Sequence, residues 1–174
     1  MSLPSIRTDR LLLRPFQRDD VEALHQLWTA PEVRRYLWDD VVITRETVQQ
    51  VIESHLATAD RLNLGFWALH ILPVSPITGF CGFRLIDAAA EMDKSPELEL
   101  LYGLRGEHWG KGLATEASAA ALKYLWRATA YPRVYARTDP PNDKSAQVMR
   151  RLGMKHESTT PSMITYCLPR PDAI

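Results

Sequence analysis

The segment Trp109-Gly110-Lys111-Gly112-Leu113-Ala114-Thr115-Glu116 is the feature that most constrains the fold of this chain. It follows an apolar run over residues 98–104 and opens an alanine-rich stretch, an order that predicts a strand, a tight turn and a helix. Glycine lets a backbone turn sharply and approach a ligand closely, so successive amide N–H groups can point into one concavity at the positive end of the helix. The sequence therefore predicts an anion site, for which a pyrophosphate is the natural ligand.

Two other nucleotide-binding motifs fit this segment poorly. A Walker loop has four residues between its first glycine and Gly-Lys-Ser/Thr, whereas three residues separate Gly106 from Gly110, and Gly112 stands where the hydroxyl residue is needed. A dinucleotide fingerprint needs a third small residue at the position of Thr115. The remaining alternative is a helix N-terminus whose glycines serve only packing.

Composition narrows the class of protein. A chain of 174 residues with 45% hydrophobic residues predicts a single globular domain over residues 1–174. Lys plus Arg and Asp plus Glu number 21 each, so neither nucleic acid nor an anionic membrane is expected as a partner. No apolar run approaches the roughly 20 residues of a membrane span, and the N-terminus lacks a signal core, which predicts a cytoplasmic protein.

The cysteines and histidines give no sign of a disulfide or a metal site. Cys81 and Cys167 lie far apart in apparent strands, as expected for small core residues in a reducing compartment. The five histidines form no pair at helical spacing, so no metal is expected.

Hydrophobic periodicity and turn residues predict strands alternating with helices and no linker or repeat. Strands are predicted over residues 10–14, 66–72, 77–86, 97–104, 133–138 and 163–168, and helices over 20–28, 44–58, 112–126 and 145–152, the last ending at Gly153. The result is an α/β or α+β fold around a mixed sheet.

Three blocks of the chain together resemble a known family. They are Arg7-Thr8-Asp9-Arg10-Leu11-Leu12-Leu13-Arg14-Pro15, then Glu99-Leu100-Leu101-Tyr102-Gly103-Leu104 with the loop segment extended to Ala117, and Asn142-Asp143-Lys144-Ser145 leading to Leu152-Gly153-Met154. In this order they are similar to the GNAT acetyltransferases, and more narrowly to the RimJ/RimL branch, whose named members acetylate protein N-terminal amines. Trp109, in place of the Gln or Arg of the superfamily consensus, also favours that branch. The resemblance implies the acyl-CoA N-acyltransferase fold, with a mixed, mostly antiparallel sheet flanked by helices.

The resemblance also implies that acetyl-CoA is the co-substrate and that residues of the second and third blocks hold it. By motif position, the backbone of residues 110–115 binds the pyrophosphate, and the strand near Tyr102 and Leu104 hydrogen-bonds the pantetheine. Trp109, Asn142 and Ser145 are the other expected cofactor contacts. Asn142 could instead simply organise the turn after the two prolines.

The catalytic groups implied by the resemblance are Glu99 as base and Ser145 as the group that steadies the thiolate. Many members place a tyrosine acid where this chain has Met149, which cannot donate a proton. Ser145 could equally be a helix N-cap. Glu97 lies two residues from Glu99, so both carboxylates share one strand face, which could also be an ordinary solvated face. Glu116 is better interpreted as supporting the loop or the helix dipole than as a base.

The acceptor cleft is expected between two further segments, residues 31–44 and 87–96. The first holds Tyr36, Trp38, Asp39 and Asp40, and the second Glu91 and Asp93. Tyr36, Trp38 and Glu97 are the predicted acceptor contacts, through aromatic walls and acidic groups that attract a cationic amine. Alternatively both segments are solvated loops, with Trp38 packing on the first helix.

The predicted activity is acetyl transfer from acetyl-CoA to a primary amine, by a monomer or homodimer. The missing tyrosine acid and the lack of a clearly identified base together favour a protein or peptide N-terminus, because an α-amine with a pKa of about 8 needs less help from a base than lysine at about 10.4. Two alternatives stay open: an acetyltransferase for small amines such as antibiotics, and a non-catalytic acyl-CoA-binding protein on the same fold.

Overall fold

The computed structural model describes residues 3–73, 75–86 and 97–171. Its strands are β1 (Ile6–Arg7), β2 (Leu11–Pro15), β3 (Phe66–Ile71), β4 (Gly79–Ile86), β5 (Glu97–Leu104), β6 (Arg133–Thr138), β7 (Lys155–Thr159) and β8 (Ile164–Pro169). Its helices are α1 (Val21–Thr29), α2 (Pro31–Leu37), α3 (Arg45–Leu62), α4 (Leu113–Ala128) and α5 (Asp143–Arg151), with short 3-10 turns at Arg18–Asp20 and Gly106–His108.

All eight strands form one sheet in the order β1-β2-β3-β4-β5-β6-β8-β7. Every neighbouring pair is antiparallel except β5 and β6, which are parallel and register at a single position, Glu99 with Tyr135. Beyond Glu99 the side of β5 that faces away from β4 has no strand partner among the described residues. The sheet is therefore split at its centre, and the split opens toward the C-terminal ends of β5 and β6.

Helices cover both faces of the sheet. Helix α4 has an apolar stripe that is buried in one core cluster with side chains of β2, β3 and β4; the stripe consists of Leu113, Ala117, Ala121 and Leu125. A second cluster packs α1 and α3 against the opposite face, through Leu24, Ile52 and Phe80 among others. The predicted mixed, mostly antiparallel sheet flanked by helices is confirmed.

Several element boundaries differ from the sequence prediction. Residues 31–37, predicted as part of a loop, form α2, which begins with Pro31 in its first turn. Proline is favoured there because its missing N–H would have no intrahelical partner. Strand β7 was not predicted, since all five residues are exposed and it lacks an apolar alternation. The acidic residues Glu91 and Asp93 lie outside the described residues.

None of the helices in the described part of the chain is long and apolar enough to cross a membrane.

Candidate functional site

A cavity of about 780 Å³ occupies the split between β5 and β6. Strand β5 lines it from residue 100 to 104, and the loop before α4 lines it with the first residues of that helix. Helix α5 and residues 137–138 of β6 close a second side, and α2 contributes a third wall. The loop that the sequence singled out therefore opens onto the gap between β5 and β6.

The loop forms an amide cradle, which we define as the backbone N–H groups of residues 110–115. Gly110 and Gly112 have φ of +74° and +76°, a conformation that L side chains rarely adopt. A Cβ at Gly110 would meet nothing within 4 Å, and one at Gly112 would meet only Arg10 at 3.6 Å, so the glycines supply backbone angles rather than packing space. Within the described residues, the six amides have no hydrogen-bond acceptor.

A side chain in the cradle also lacks a partner. The Oγ1 atom of Thr115 is buried and has no hydrogen-bond partner among the described residues, and Thr115 lines the cavity. The first amides of any α-helix lack an intrahelical acceptor, so the more informative group is the buried, unpaired Thr115 hydroxyl beside them, which makes this helix N-terminus suited to an anionic ligand. This geometry fits the pyrophosphate group that the sequence predicted.

Glu116 supports the loop that carries the amide cradle, as the sequence suggested. It accepts hydrogen bonds from the Thr8 hydroxyl at 2.6 Å and from the amide and Nε of Arg10 at 3.0 and 2.6 Å. Arg10 Nη1 then donates to the carbonyl of Lys111 at 2.9 Å. Burial by itself would raise the pKa of Glu116, but the bonds from Thr8 and Arg10 outweigh it and lower the pKa, so the carboxylate stays ionised.

Trp109 ties the loop to the preceding strand and to α5. Its indole Nε1 donates to the carbonyl of Leu104 at 2.7 Å, and the ammonium of Lys144 lies 4.4 Å from its ring centroid. Trp109, Leu104 and Lys144 all line the cavity. Trp109 thus orients the loop through its side chain, and the cation–π contact joins the two sides of the cavity.

Asn142 caps α5, and this corrects one interpretation of Ser145. The Asn142 side-chain oxygen accepts from the amide of Ser145 at 3.2 Å, so the helix begins at Asp143 rather than at Ser145. Ser145 lies in the first turn and is not the N-cap. Both residues line the cavity, and their roles as cofactor contacts stay predictions.

The hydroxyl of Tyr102 is a feature that the sequence did not indicate. It lies 3.0 Å from Ser145 Oγ and donates to the Ser145 carbonyl at 3.0 Å. Burial raises the pKa of Tyr102, and the contact with Ser145 offsets only part of that effect. The two residues are 43 positions apart, and only the split between β5 and β6 brings α5 against this strand.

The two predicted carboxylates share one strand face but are held by arginines. Glu97 Oε2 accepts from Arg137 Nη2 at 2.6 Å, and Glu99 accepts from Arg84 Nε at 2.6 Å and Arg137 Nη1 at 3.5 Å. Glu99 is only 3% exposed, so its face is not the solvated face of the alternative interpretation. Neither glutamate lines the cavity, whereas Arg137 does. The base role of Glu99 and the acceptor role of Glu97 stay predictions.

The two aromatic side chains predicted to line the acceptor cleft lie in different environments. Tyr36, on α2, lines the cavity. Trp38 is not among the lining residues and packs on Trp28 of α1, with ring centroids 5.9 Å apart, as in the alternative interpretation. Asp40 is paired with Arg34 at 2.7 Å. The structure therefore supports Tyr36 as a cavity residue, while an acceptor contact by Trp38 stays a prediction.

Comparison with known proteins identifies the family whose sequence pattern this chain matches. The family model described as an acetyltransferase (GNAT) domain matches residues 10–155. The chain is 28% identical over 160 residues to an uncharacterized N-acetyltransferase p20 of Bacillus licheniformis, covering 89% of this chain and 84% of that protein. It is 25% identical over 146 residues to spermidine N(1)-acetyltransferase of Escherichia coli (strain K12), covering 83% and 73% respectively.

Solved structures of acetyltransferases have the same fold as this chain. An acetyltransferase from Agrobacterium tumefaciens str. C58 superposes with a TM-score of 0.79 at 23% identity, covering 97% of this chain and 95% of that chain. RimL, described as a ribosomal L7/L12 alpha-N-protein acetyltransferase in complex with coenzyme A, superposes with a TM-score of 0.76 at 18% identity, covering 95% and 98%.

Proposed function

Because the chain belongs to the GNAT acetyltransferase family, and is therefore an acetyl-CoA-dependent acyltransferase, we propose that its acceptor is the α-amine of a protein or peptide N-terminus. The observation that carries this proposal is the pairing of Glu97 and Glu99 with arginines. The strand carboxylates that could serve as a strong base are neutralised by ion pairs. An acceptor that needs little help to lose its proton suits such a site best.

The amide cradle is the part of the site that fits acetyl-CoA. Residues 110–115 would hold the pyrophosphate through backbone N–H groups, with the Thr115 hydroxyl as an additional donor. The unpaired side of β5 near Tyr102 would hydrogen-bond the pantetheine, next to the cap residue Asn142. Acetyl-CoA, when bound, supplies an activated thioester carbonyl. The protein contributes position and preorganised donors, which account for much of the acceleration in such sites.

The free energy of deprotonation separates the classes of acceptor. An α-amine with a pKa of about 8 needs roughly 1 kcal/mol to become neutral at pH 7, whereas a lysine side chain near 10.4 needs almost 5 kcal/mol. Glu99 could accept the amine proton only through water, since its carboxylate is buried against Arg84 and Arg137. A water-mediated or weak base is sufficient for the first class of acceptor and poor for the second.

The charge of the cavity wall supports the same choice over a polyamine. The cluster of Glu97, Glu99, Arg84 and Arg137 presents a guanidinium, not a carboxylate, to the cavity. This part of the wall offers a spermidine-like polycation no attraction, whereas the carboxylates that line the cavity, Glu32 and Asp143, lie on α2 and α5. The 25% identical spermidine acetyltransferase nevertheless makes this the second candidate function.

The test is a panel of acceptors with acetyl-CoA at saturating concentration. It contains lysine-bearing peptides with a free N-terminus, the same peptides with a blocked N-terminus, spermidine and an aminoglycoside. Release of the CoA thiol gives the rate, and mass spectrometry of fragments gives the modified amine. We expect acetylation of the free α-amine and none on the blocked peptides.

Other results would each replace the proposal by a defined alternative. A higher kcat/KM for spermidine or the aminoglycoside would assign a small-molecule acetyltransferase. Acetylation of blocked peptides would assign a lysine acceptor. Tight acetyl-CoA binding without turnover on any amine would indicate the non-catalytic binding protein.

A further inference from the structure

The hydroxyl of Tyr102 contacts Ser145, the residue expected to stabilise the CoA thiolate where Met149 cannot donate a proton to it. Met149 is buried, lines the cavity one helical turn after Ser145, and has no proton to give. Ser145 has a single hydroxyl hydrogen, and that hydrogen must point at the sulfur if Ser145 is to steady a departing thiolate. The role of Ser145 therefore depends on the contact that sets the direction of this hydrogen.

Two hydrogen-bond arrangements are possible for the pair. In the first, the Tyr102 hydrogen goes to the Ser145 carbonyl and the Ser145 hydrogen goes to the Tyr102 oxygen, so the Ser145 oxygen turns only lone pairs toward the cavity. In the second, Tyr102 donates to Ser145 Oγ, and the Ser145 hydrogen is free to point into the cavity. The carbonyl loses little in the second arrangement, because the helical ladder of α5 supplies it with an amide donor.

A negative charge at the sulfur selects the second arrangement. A donor that is itself receiving a hydrogen bond is polarised and becomes a stronger donor. The raised pKa of Tyr102 keeps its phenol protonated and able to donate across the neutral range. Tyr102 also lies on β5, whose position is fixed by pairing with β4, so the phenol holds the first turn of α5 at a set distance from the strand.

We propose that Tyr102 is a positioning residue for the thiolate: its hydroxyl donates to Ser145 Oγ and thereby directs the Ser145 hydrogen at the sulfur of CoA. In the transfer, the C–S bond breaks as the amine nitrogen bonds to the acetyl carbon, and the electron pair of that bond stays on the sulfur. The proton that the amine loses leaves to water, and Tyr102 and Ser145 keep their own. This proposal rests on the proposed function, since it assumes that CoA binds in the cavity.

The test measures the pKa of the CoA thiol in the complex of the protein with CoA alone, so that no acceptor is needed. CoA labelled with ¹³C at the carbon bonded to sulfur reports thiol ionisation by its chemical shift as pH is varied. Tyr102→Phe removes the donor that orients and polarises the Ser145 hydroxyl, which weakens the Ser145 hydrogen bond to the thiolate and should raise the bound thiol pKa by up to about one unit. Ser145→Ala should raise it at least as much, and the double variant no further than Ser145→Ala.

Two controls separate positioning from structural support. Tyr124→Phe removes another tyrosine hydroxyl, which donates to the Asn63 carbonyl at 3.4 Å outside the cavity lining, and should leave the thiol pKa unchanged. Replacement of Tyr102 by 3,5-difluorotyrosine keeps the ring and strengthens the donor, so it should lower the thiol pKa. A purely structural role of Tyr102 predicts no such decrease.

The outcomes distinguish this proposal from the proposed function. Normal CoA binding and acetyl transfer, with the same thiol pKa in wild type, Tyr102→Phe and the fluorinated protein, would overturn the positioning role alone. Failure of the wild-type protein to bind CoA would overturn the proposed function and this role with it. If Tyr102→Phe does not fold, the fluorinated protein decides the question by itself.

Discussion

Gly110 and Gly153 form a matched pair that tests whether the amide cradle binds a ligand. Both have positive φ, +74° and +79°, and a Cβ at either would meet nothing within 4 Å. They differ in location, because Gly110 lines the cavity and Gly153 follows α5 outside the lining. Alanine at either position should cost similar backbone strain, and only alanine at position 110 adds a methyl group to a residue that lines the cavity.

The size of each effect follows from this geometry. A non-glycine residue in the left-handed region costs roughly 1–2 kcal/mol, which lowers the unfolding midpoint of a chain of this size by about 2–8 °C. Both Gly110→Ala and Gly153→Ala should show this loss. At Gly110 the methyl group should also displace a phosphate from one amide, and losing a hydrogen bond to a charged group costs about 1.5–3 kcal/mol, which corresponds to a rise in Kd of about 10- to 150-fold.

Thermal unfolding without ligand and calorimetric titration with acetyl-CoA measure the two effects separately. We expect similar unfolding midpoints for the two variants, with the affinity of Gly153→Ala close to wild type and that of Gly110→Ala reduced at least tenfold. Equal acetyl-CoA affinity for Gly110→Ala and Gly153→Ala would mean that the amides of the loop play no part in binding.

Three further perturbations have defined outcomes. Glu116→Gln should weaken acetyl-CoA binding in calorimetry and lower the free energy of unfolding in urea by about 1 kcal/mol, because Arg10 loses the charge that holds it against the loop. Unchanged binding would show that Glu116 does not support the amide cradle. Burial and the nearby Arg84 lower the pKa of His55 to about 4, so the unfolded state, with a pKa near 6.5, binds more protons between these values. Stability should therefore fall by at most about 3 kcal/mol as pH drops from about 6.5 to 4, and His55→Leu should abolish this slope in urea titrations at several pH values. Glu99→Gln should lower turnover on the true acceptor while sparing acetyl-CoA affinity, and steady-state kinetics with unchanged kcat would remove Glu99 from the reaction.

The local parts of the site were accessible from the sequence. The conformations of Gly110 and Gly112 follow from the demand that a strand turn directly into a helix, and the amphipathic stripe of that helix fixed which side faces the core. The predicted shared face of Glu97 and Glu99 follows from the two-residue period of a strand, and their common partner Arg137 agrees with it. These inferences use spacing alone.

The nonlocal parts were not accessible. The arginine partners of Glu99 come from β4 and β6, and they depend on the register that pairs Arg84 with Glu99 and on the parallel contact at Tyr135. The contact of Tyr102 with Ser145 likewise requires knowing where the sheet splits. Helix α2 was missed because residues 31–37 mix charged and apolar side chains over only two turns, too short for a clear period.

The central claim, that the amides of residues 110–115 hold acetyl-CoA, is tested most directly by amide NMR of the ¹⁵N-labelled protein during titration with acetyl-CoA. We expect the largest shift changes on these six amides and on Tyr102 and Ser145, and we expect the six amides to become protected from hydrogen exchange. Saturable binding of acetyl-CoA that leaves all six amides unshifted and unprotected would contradict it.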